Sequence, residues 1–110
     1  MKQVTTHYIN GQFVDSHGTE VIDLINPADG AVIGRVTLGD AVDAGRAVSA
    51  AKEAFGMFSA SSPEERVLYL ERIHERILAR EEEHVAARTL EYGGVSLHNA
   101  FSIKGSALLF

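Results

Sequence analysis

The residues able to do chemistry are few, and their spacing keeps them apart. Histidines stand at His7, His17, His74, His84 and His98. A zinc site needs three or four converging ligands, and two imidazoles on one helical face need a His-Glu-x-x-His spacing that this chain lacks. Side-chain metal binding is therefore not expected, and His74 and His84 read as solvated or helix-packing residues. Glu81, Glu82 and Glu83 bring carboxylates together in sequence. Acid–base work needs a carboxyl held at its reacting proton, whereas consecutive glutamates on a helix point in different directions. The trio reads as the acidic first turn of a helix. Ser59, Ser61 and Ser62 belong to a capping segment, with no nucleophile elbow and no histidine–carboxylate relay. There is no cysteine, which removes a thiol nucleophile, thiolate zinc sites and disulfides together. The glycines form no G-x-G-x-x-G cradle; Gly30 and Gly34 read as turn or strand-kink positions, and Gly93-Gly94 as a helix terminator.

The elements that would position these residues must come from a short chain. With 110 residues, 45% of them hydrophobic and 23% charged, the composition is that of one small globular domain. Ten basic against fifteen acidic residues give a net charge of −5 without a basic block, so a nucleic-acid surface is not expected. No run approaches the roughly 18 apolar residues of a membrane span. Met1 to His7 has no apolar signal-peptide core, and the expected location is cytoplasmic.

Tyr8 to Val14 places apolar residues on either side of Asn10-Gly11, a pair that accepts the positive φ angles of a tight hairpin. Glu20 to Leu24 and the β-branched run from Val32 to Leu38 predict two strands joined by the turn Asn26-Pro27-Ala28-Asp29-Gly30. At Asp40, a good N-cap, the period changes to 3.6. Ala44, Ala47, Val48, Ala51, Ala54, Phe55 and Phe58 form a stripe expected to pack against a sheet or helix. Ser62-Pro63-Glu64-Glu65 signals the next helix, with Ser62 as cap, Pro63 at the first position and Glu65 closing a capping box. Val67, Leu70, Ile73 and Ile77 are expected on its buried side. Glu81, Glu82 and Glu83 are expected to begin a separate helix or a bend, with Val85, Ala86, Thr89 and Leu90 following and Gly93-Gly94 ending it, and His98 to Phe110 could form another helix, weakened by Gly105 and ending in apolar residues that need cover.

The succession of Tyr8-Ile9-Asn10-Gly11-Gln12-Phe13-Val14, Ile25-Asn26-Pro27-Ala28-Asp29-Gly30-Ala31-Val32-Ile33, the Asp40-to-Phe58 helix and Ser62-Pro63-Glu64-Glu65-Arg66 resembles the N-terminal region of aldehyde dehydrogenases. The resemblance covers roughly residues 7 to 94. It implies an α/β fold, or α+β for these residues taken alone: β-hairpins and outer helices of a nucleotide-binding domain. Residues 1–94 would be a partial scaffold of that domain, and residues 95–110 a divergent apolar tail, helical or truncated.

The resemblance further implies a parent enzyme that oxidises an aldehyde to a carboxylic acid with NAD or NADP. In that family a cysteine attacks the aldehyde, hydride passes to the nicotinamide, and a glutamate activates the water that releases the acid. None of these roles falls on a residue here, so no catalytic or cofactor-binding residue is assigned, and the chain alone is expected to bind no cofactor and to be inactive. Its expected partner is the remainder of the fold or a homo-oligomer. The backbone at Leu24 and Ile25 is the one metal candidate, for a monovalent cation seen in some family members. Asn10, Gly11, Asn26, Pro27, Gly30, Asp40, Ser62, Pro63 and Glu65 are expected to be structural. The abrupt apolar end at Phe110 reads as the cut edge of a larger protein, and the alternative is a noncatalytic remnant that binds a partner through its apolar tail.

Overall fold

A computed structural model describes residues 1–110. Five strands precede four helices: β1 Lys2–Val4, β2 Thr6–Ile9, β3 Gln12–Asp15, β4 Val21–Ile25, β5 Val32–Thr37, α1 Ala41–Phe58, α2 Pro63–Ala79, α3 Glu81–Glu91 and α4 Ser96–Ala107. Contacts divide the chain into one unit of residues 1–25 and 32–60 and a second of residues 26–31 and 61–110. No helix is long and apolar enough to cross a membrane.

In the first unit, β2 and β3 form the expected antiparallel hairpin, with His7 opposite Val14 and Tyr8 opposite Phe13. Asn10 and Gly11 hold positive φ angles of 52° and 74°, a conformation that glycine, lacking a Cβ, and asparagine adopt at low cost. The Tyr8 and Phe13 rings meet at 5.1 Å between centroids. A separate three-stranded sheet has the order β1-β5-β4, with β4 and β5 antiparallel as expected. Strand β1 runs parallel to β5 and was not foreseen from sequence. Gly34 makes it possible. A Cβ at that position would stand 2.8 Å from the Lys2 carbonyl oxygen, so only glycine allows the two backbones this approach.

In the second unit, α2 starts at Ser62. Its hydroxyl accepts the Glu65 N–H at 3.1 Å, while the Glu65 carboxylate accepts the Ser62 N–H at 2.8 Å, and Pro63 fills the first helical position. Helix α3 begins at Glu81 and ends before Gly93 and Gly94, whose φ angles are +82° and +85°. Helix α4 continues through Gly105 to Ala107.

Two burial expectations are corrected. The α1 stripe is uncovered, with Val48 67% and Phe55 66% exposed, and Val67, Leu70 and Ile73 on α2 are exposed as well. Helical periodicity reveals which side of a helix is apolar, but the surface that covers it must be supplied by other residues. Within these 110 residues that surface is missing. Ala107 is the sole fully buried apolar residue, and the buried polar residues are Asp43 and Asn99.

Candidate functional site

Each unit is organised around one buried polar side chain. In the first unit it is Asp43, the third residue of α1 and 5% exposed. Asp40 caps α1 by accepting the N–H groups of Val42 and Asp43, and the Asp43 carboxylate returns a bond from the Asp40 N–H at 3.1 Å. That reciprocal box alone would leave the carboxylate with capacity to spare. The β3–β4 loop uses it: the His17 N–H lies 3.0 Å from both oxygens, the Gly18 N–H donates to Oδ2 at 3.1 Å, and Ser16 Oγ lies 3.3 Å from Oδ2. Arg46 Nη1 adds a longer contact at 3.4 Å. The backbone N–H of His17, followed by those of Gly18 and Asp40 and the Ser16 hydroxyl, holds the Asp43 carboxyl far below the usual carboxylate range and outweighs its desolvation. Asp40 is lowered too, chiefly by the His17 imidazole, whose Nδ1 lies 2.6 Å from Oδ2.

The cluster brings a serine, a histidine and an aspartate together, because His7 Nε2 lies 3.1 Å from Ser16 Oγ. It is not a nucleophilic relay. A relay needs the carboxylate on the far nitrogen of the imidazole and the serine proton aimed at the near one. Here the acid sits on the serine side, and the hydroxyl proton is directed to Asp43 or to the Leu38 carbonyl at 3.1 Å. With the hydroxyl proton so placed, the imidazole is the donor to Ser16 Oγ in the tautomer protonated at Nε2, the reverse of a general base.

In the second unit Asn99 is fully buried and fully used. Its Nδ2 donates to Thr89 Oγ1 at 2.9 Å and to the Gly93 carbonyl at 3.2 Å, and its Oδ1 accepts from Arg88 Nε at 3.0 Å. The Arg88 guanidinium also lies over the Tyr92 ring, 5.0 Å from its centroid. Asn99 thus ties α4 to the end of α3. His74 ties α4 to α2: a carbonyl can only accept, so His74 Nδ1 carries the proton it donates to the Ala107 oxygen at 2.8 Å. Within the acidic trio, Glu83 pairs with Arg80 at 2.6 Å and Glu81 with Lys104 at 3.4 Å.

The remaining sequence candidates sit in turns and strands. Asn26 Oδ1 accepts the Ala28 N–H at 2.9 Å, its N–H donates to the Ala31 carbonyl, and its carbonyl accepts from Gly30, which has a φ of +72°. Pro27 lies beside Gly93, where an added Cβ would come within 3.1 Å of the proline ring. A groove of about 500 Å³ runs past Asn26, Ala28, Val85, Thr89 and Leu90. No group of three or more histidine, aspartate or glutamate side chains could hold a metal ion. Leu24 and Ile25 pair with Gly34 and Val32, and the ladder shifts register between them. Two backbone carbonyls fall short of the roughly six oxygen ligands a hard cation takes, so these residues alone do not complete a cation site.

Sequence reasoning missed Asp43 and the role of Asn99. For Asp43 a signal existed in Asp40-x-x-Asp43, an acidic version of the capping-box spacing. For Asn99 there was none, because its partners lie six to eleven residues away in another helix and its end.

Residues 13–110 match the profile of the aldehyde dehydrogenase family. The chain belongs to this family. It is 40% identical over 93 residues to an aldehyde dehydrogenase homologue of Staphylococcus haemolyticus, a match covering 84% of this chain and 20% of that protein. Among solved structures, it superposes on Escherichia coli lactaldehyde dehydrogenase with a TM-score of 0.88 at 35% identity, covering 96% of this chain and 22% of that one. It also superposes on Pseudomonas syringae aldehyde dehydrogenase C, solved with NAD+ and octanal, with a TM-score of 0.85 at 37% identity, over 88% of this chain and 20% of that one. This aldehyde dehydrogenase chain therefore spans about a fifth of the length of the relatives it matches. Its strands and outer helices are those of the family's nucleotide-binding domain. It contains no cysteine, so none of its residues can be the family's thiol nucleophile.

Proposed function

We propose that these residues are the N-terminal scaffold of an enzyme that oxidises an aldehyde to a carboxylic acid with NAD or NADP, and that they do no chemistry by themselves. The observation carrying this reading is the close superposition on whole aldehyde dehydrogenases of a chain that has no thiol. The uncovered apolar faces of α1 and α2 support it from the physical side, because a monomer with so little buried apolar surface needs further residues to cover them. The partner is the remainder of the same fold. The test is to supply the purified chain with octanal and either NAD or NADP and follow reduced cofactor. No reduction is expected; sustained turnover by the 110 residues would overturn the reading.

A second reading is favoured by Leu97, Phe101, Leu108 and Leu109, all strongly exposed on or after α4. On it, the chain is a noncatalytic protein that binds a partner through this apolar end. A concentration-independent monomer in light scattering that captures no full-length relative would remove it.

A further inference from the structure

The loop Ser16-His17-Gly18 is tied at its edges, by the Ser16 N–H to the Thr5 carbonyl, by Ser16 Oγ beside His7 and the Leu38 carbonyl, and by His17 Nδ1 to Asp40, while its inner backbone donors converge on a single side chain. Its neighbouring strands β3 and β4 belong to different sheets, and the first unit has no buried apolar side chain to anchor it. What the loop offers is a set of donors, the N–H groups of His17 and Gly18 and the hydroxyl of Ser16, all directed at one point. The Asp40 N–H reaches the same point from the start of α1. Convergent backbone N–H groups make a concavity suited to an anion, and here the anion is the side chain of Asp43. Gly18 marks how closely the chain is folded there, since a Cβ on it would lie 2.2 Å from the Leu38 carbonyl oxygen.

We propose that Asp43 is a latch: its carboxylate fills an anion cradle made by Ser16, His17, Gly18 and Asp40, and that occupancy holds the His17 and Gly18 amides closed on the first turn of α1. The charged groups facing it are His7 from β2, His17 from the loop, Asp40 from the cap and Arg46 from the next turn of α1. Arg46 is the fixed positive charge among them and Asp40 an opposing negative one, so it is the convergent backbone N–H groups of His17, Gly18 and Asp40 that favour an anion over a neutral occupant. An acidic side chain at this position thus acts as a built-in ligand that joins the β3–β4 loop to the first turn of a helix 25 residues later.

The latch makes a prediction that ordinary destabilisation does not share. Asp43→Gly removes the carboxylate together with its methylene and leaves room for a small free carboxylate. In that variant of the 110-residue chain, hydrogen exchange at the His17 and Gly18 amides is expected to accelerate about tenfold or more, the loss of hydrogen bonds to a charged acceptor. Added formate is expected to slow it again, while chloride at equal ionic strength does not. Asp43→Asn, which keeps the shape and loses the charge, guards against a glycine variant that fails to fold. It should accelerate the same two amides while leaving Asp23 and Arg35 in the β4–β5 ladder unchanged. Unchanged exchange at His17 and Gly18 in the asparagine variant would overturn the proposal, as would chloride matching formate or formate having no effect on a folded glycine variant.

Discussion

Arg88 Nε donates to Asn99 Oδ1 across 3.0 Å, joining a charged residue in α3 to a side chain in α4 that has no contact with solvent. Every polar atom of the Asn99 amide group is used: the oxygen by Arg88, the nitrogen by Thr89 and Gly93. Asn99→Leu should therefore do more than remove a hydrogen bond. It leaves the Gly93 carbonyl and Arg88 Nε without their partner inside the second unit, with an expected loss of about 2 kcal/mol. Urea unfolding followed by helical circular dichroism measures it.

The start of α2 gives a coupled pair. Ser62→Ala and Glu65→Ala each remove one of the two reciprocal bonds, and each should cost about 1 kcal/mol at most. The double variant should lose less than the sum of the two, because the bonds support one another. A double-mutant cycle by thermal unfolding checks this.

Two glycines should not tolerate alanine, for different reasons. Gly93→Ala places a side chain at φ +82° and against the Pro27 ring, with an expected cost of about 1–2 kcal/mol from the backbone conformation alone. Gly34→Ala has ordinary strand geometry but puts its Cβ onto the Lys2 carbonyl. Its expected effect is local: β1 detaches and the exchange protection of its paired amides is lost while the β4–β5 ladder persists. Backbone hydrogen exchange separates the two outcomes.

The acid limb of stability should report Asp43. Its folded pKa is depressed below the unfolded value, so the stabilisation is complete above the unfolded carboxylate range, near pH 4, and is lost progressively as the pH falls below it. Asp40 adds in the same direction, through its bond with His17. Replacing Asp43 by asparagine should lower stability at neutral pH and flatten its dependence between about pH 4 and pH 2. Chemical denaturation across that range tests the slope.

Much of this architecture was legible because its signals are local. Asn10-Gly11, the Asn26-to-Gly30 turn, the Asp40 cap and Ser62-Pro63-Glu64-Glu65 each specify a backbone geometry within four or five residues, and each is realised in the structure. What escaped notice depends on residues distant in sequence. The pairing of β1 with β5 joins Lys2 to Gly34, and the Asp43 cradle joins residues 16–18 to α1. The burial of the α1 and α2 stripes could not be judged from periodicity either, since Phe55 and Val67 declare an apolar side without naming its cover. The structure gives His7, His74 and Glu83 hydrogen-bond or ion-pair partners that the sequence does not name. The one serine–histidine–aspartate cluster was not anticipated, and its geometry is structural.

The central claim is that this chain supplies scaffold to an aldehyde dehydrogenase and leaves the chemistry to other residues. The most direct measurement is turnover by a chimera in which these 110 residues replace the corresponding fifth of Escherichia coli lactaldehyde dehydrogenase. Reduced cofactor is expected from the chimera with lactaldehyde, and none from the 110 residues alone. A chimera that folds and binds its cofactor yet oxidises no aldehyde would contradict that claim.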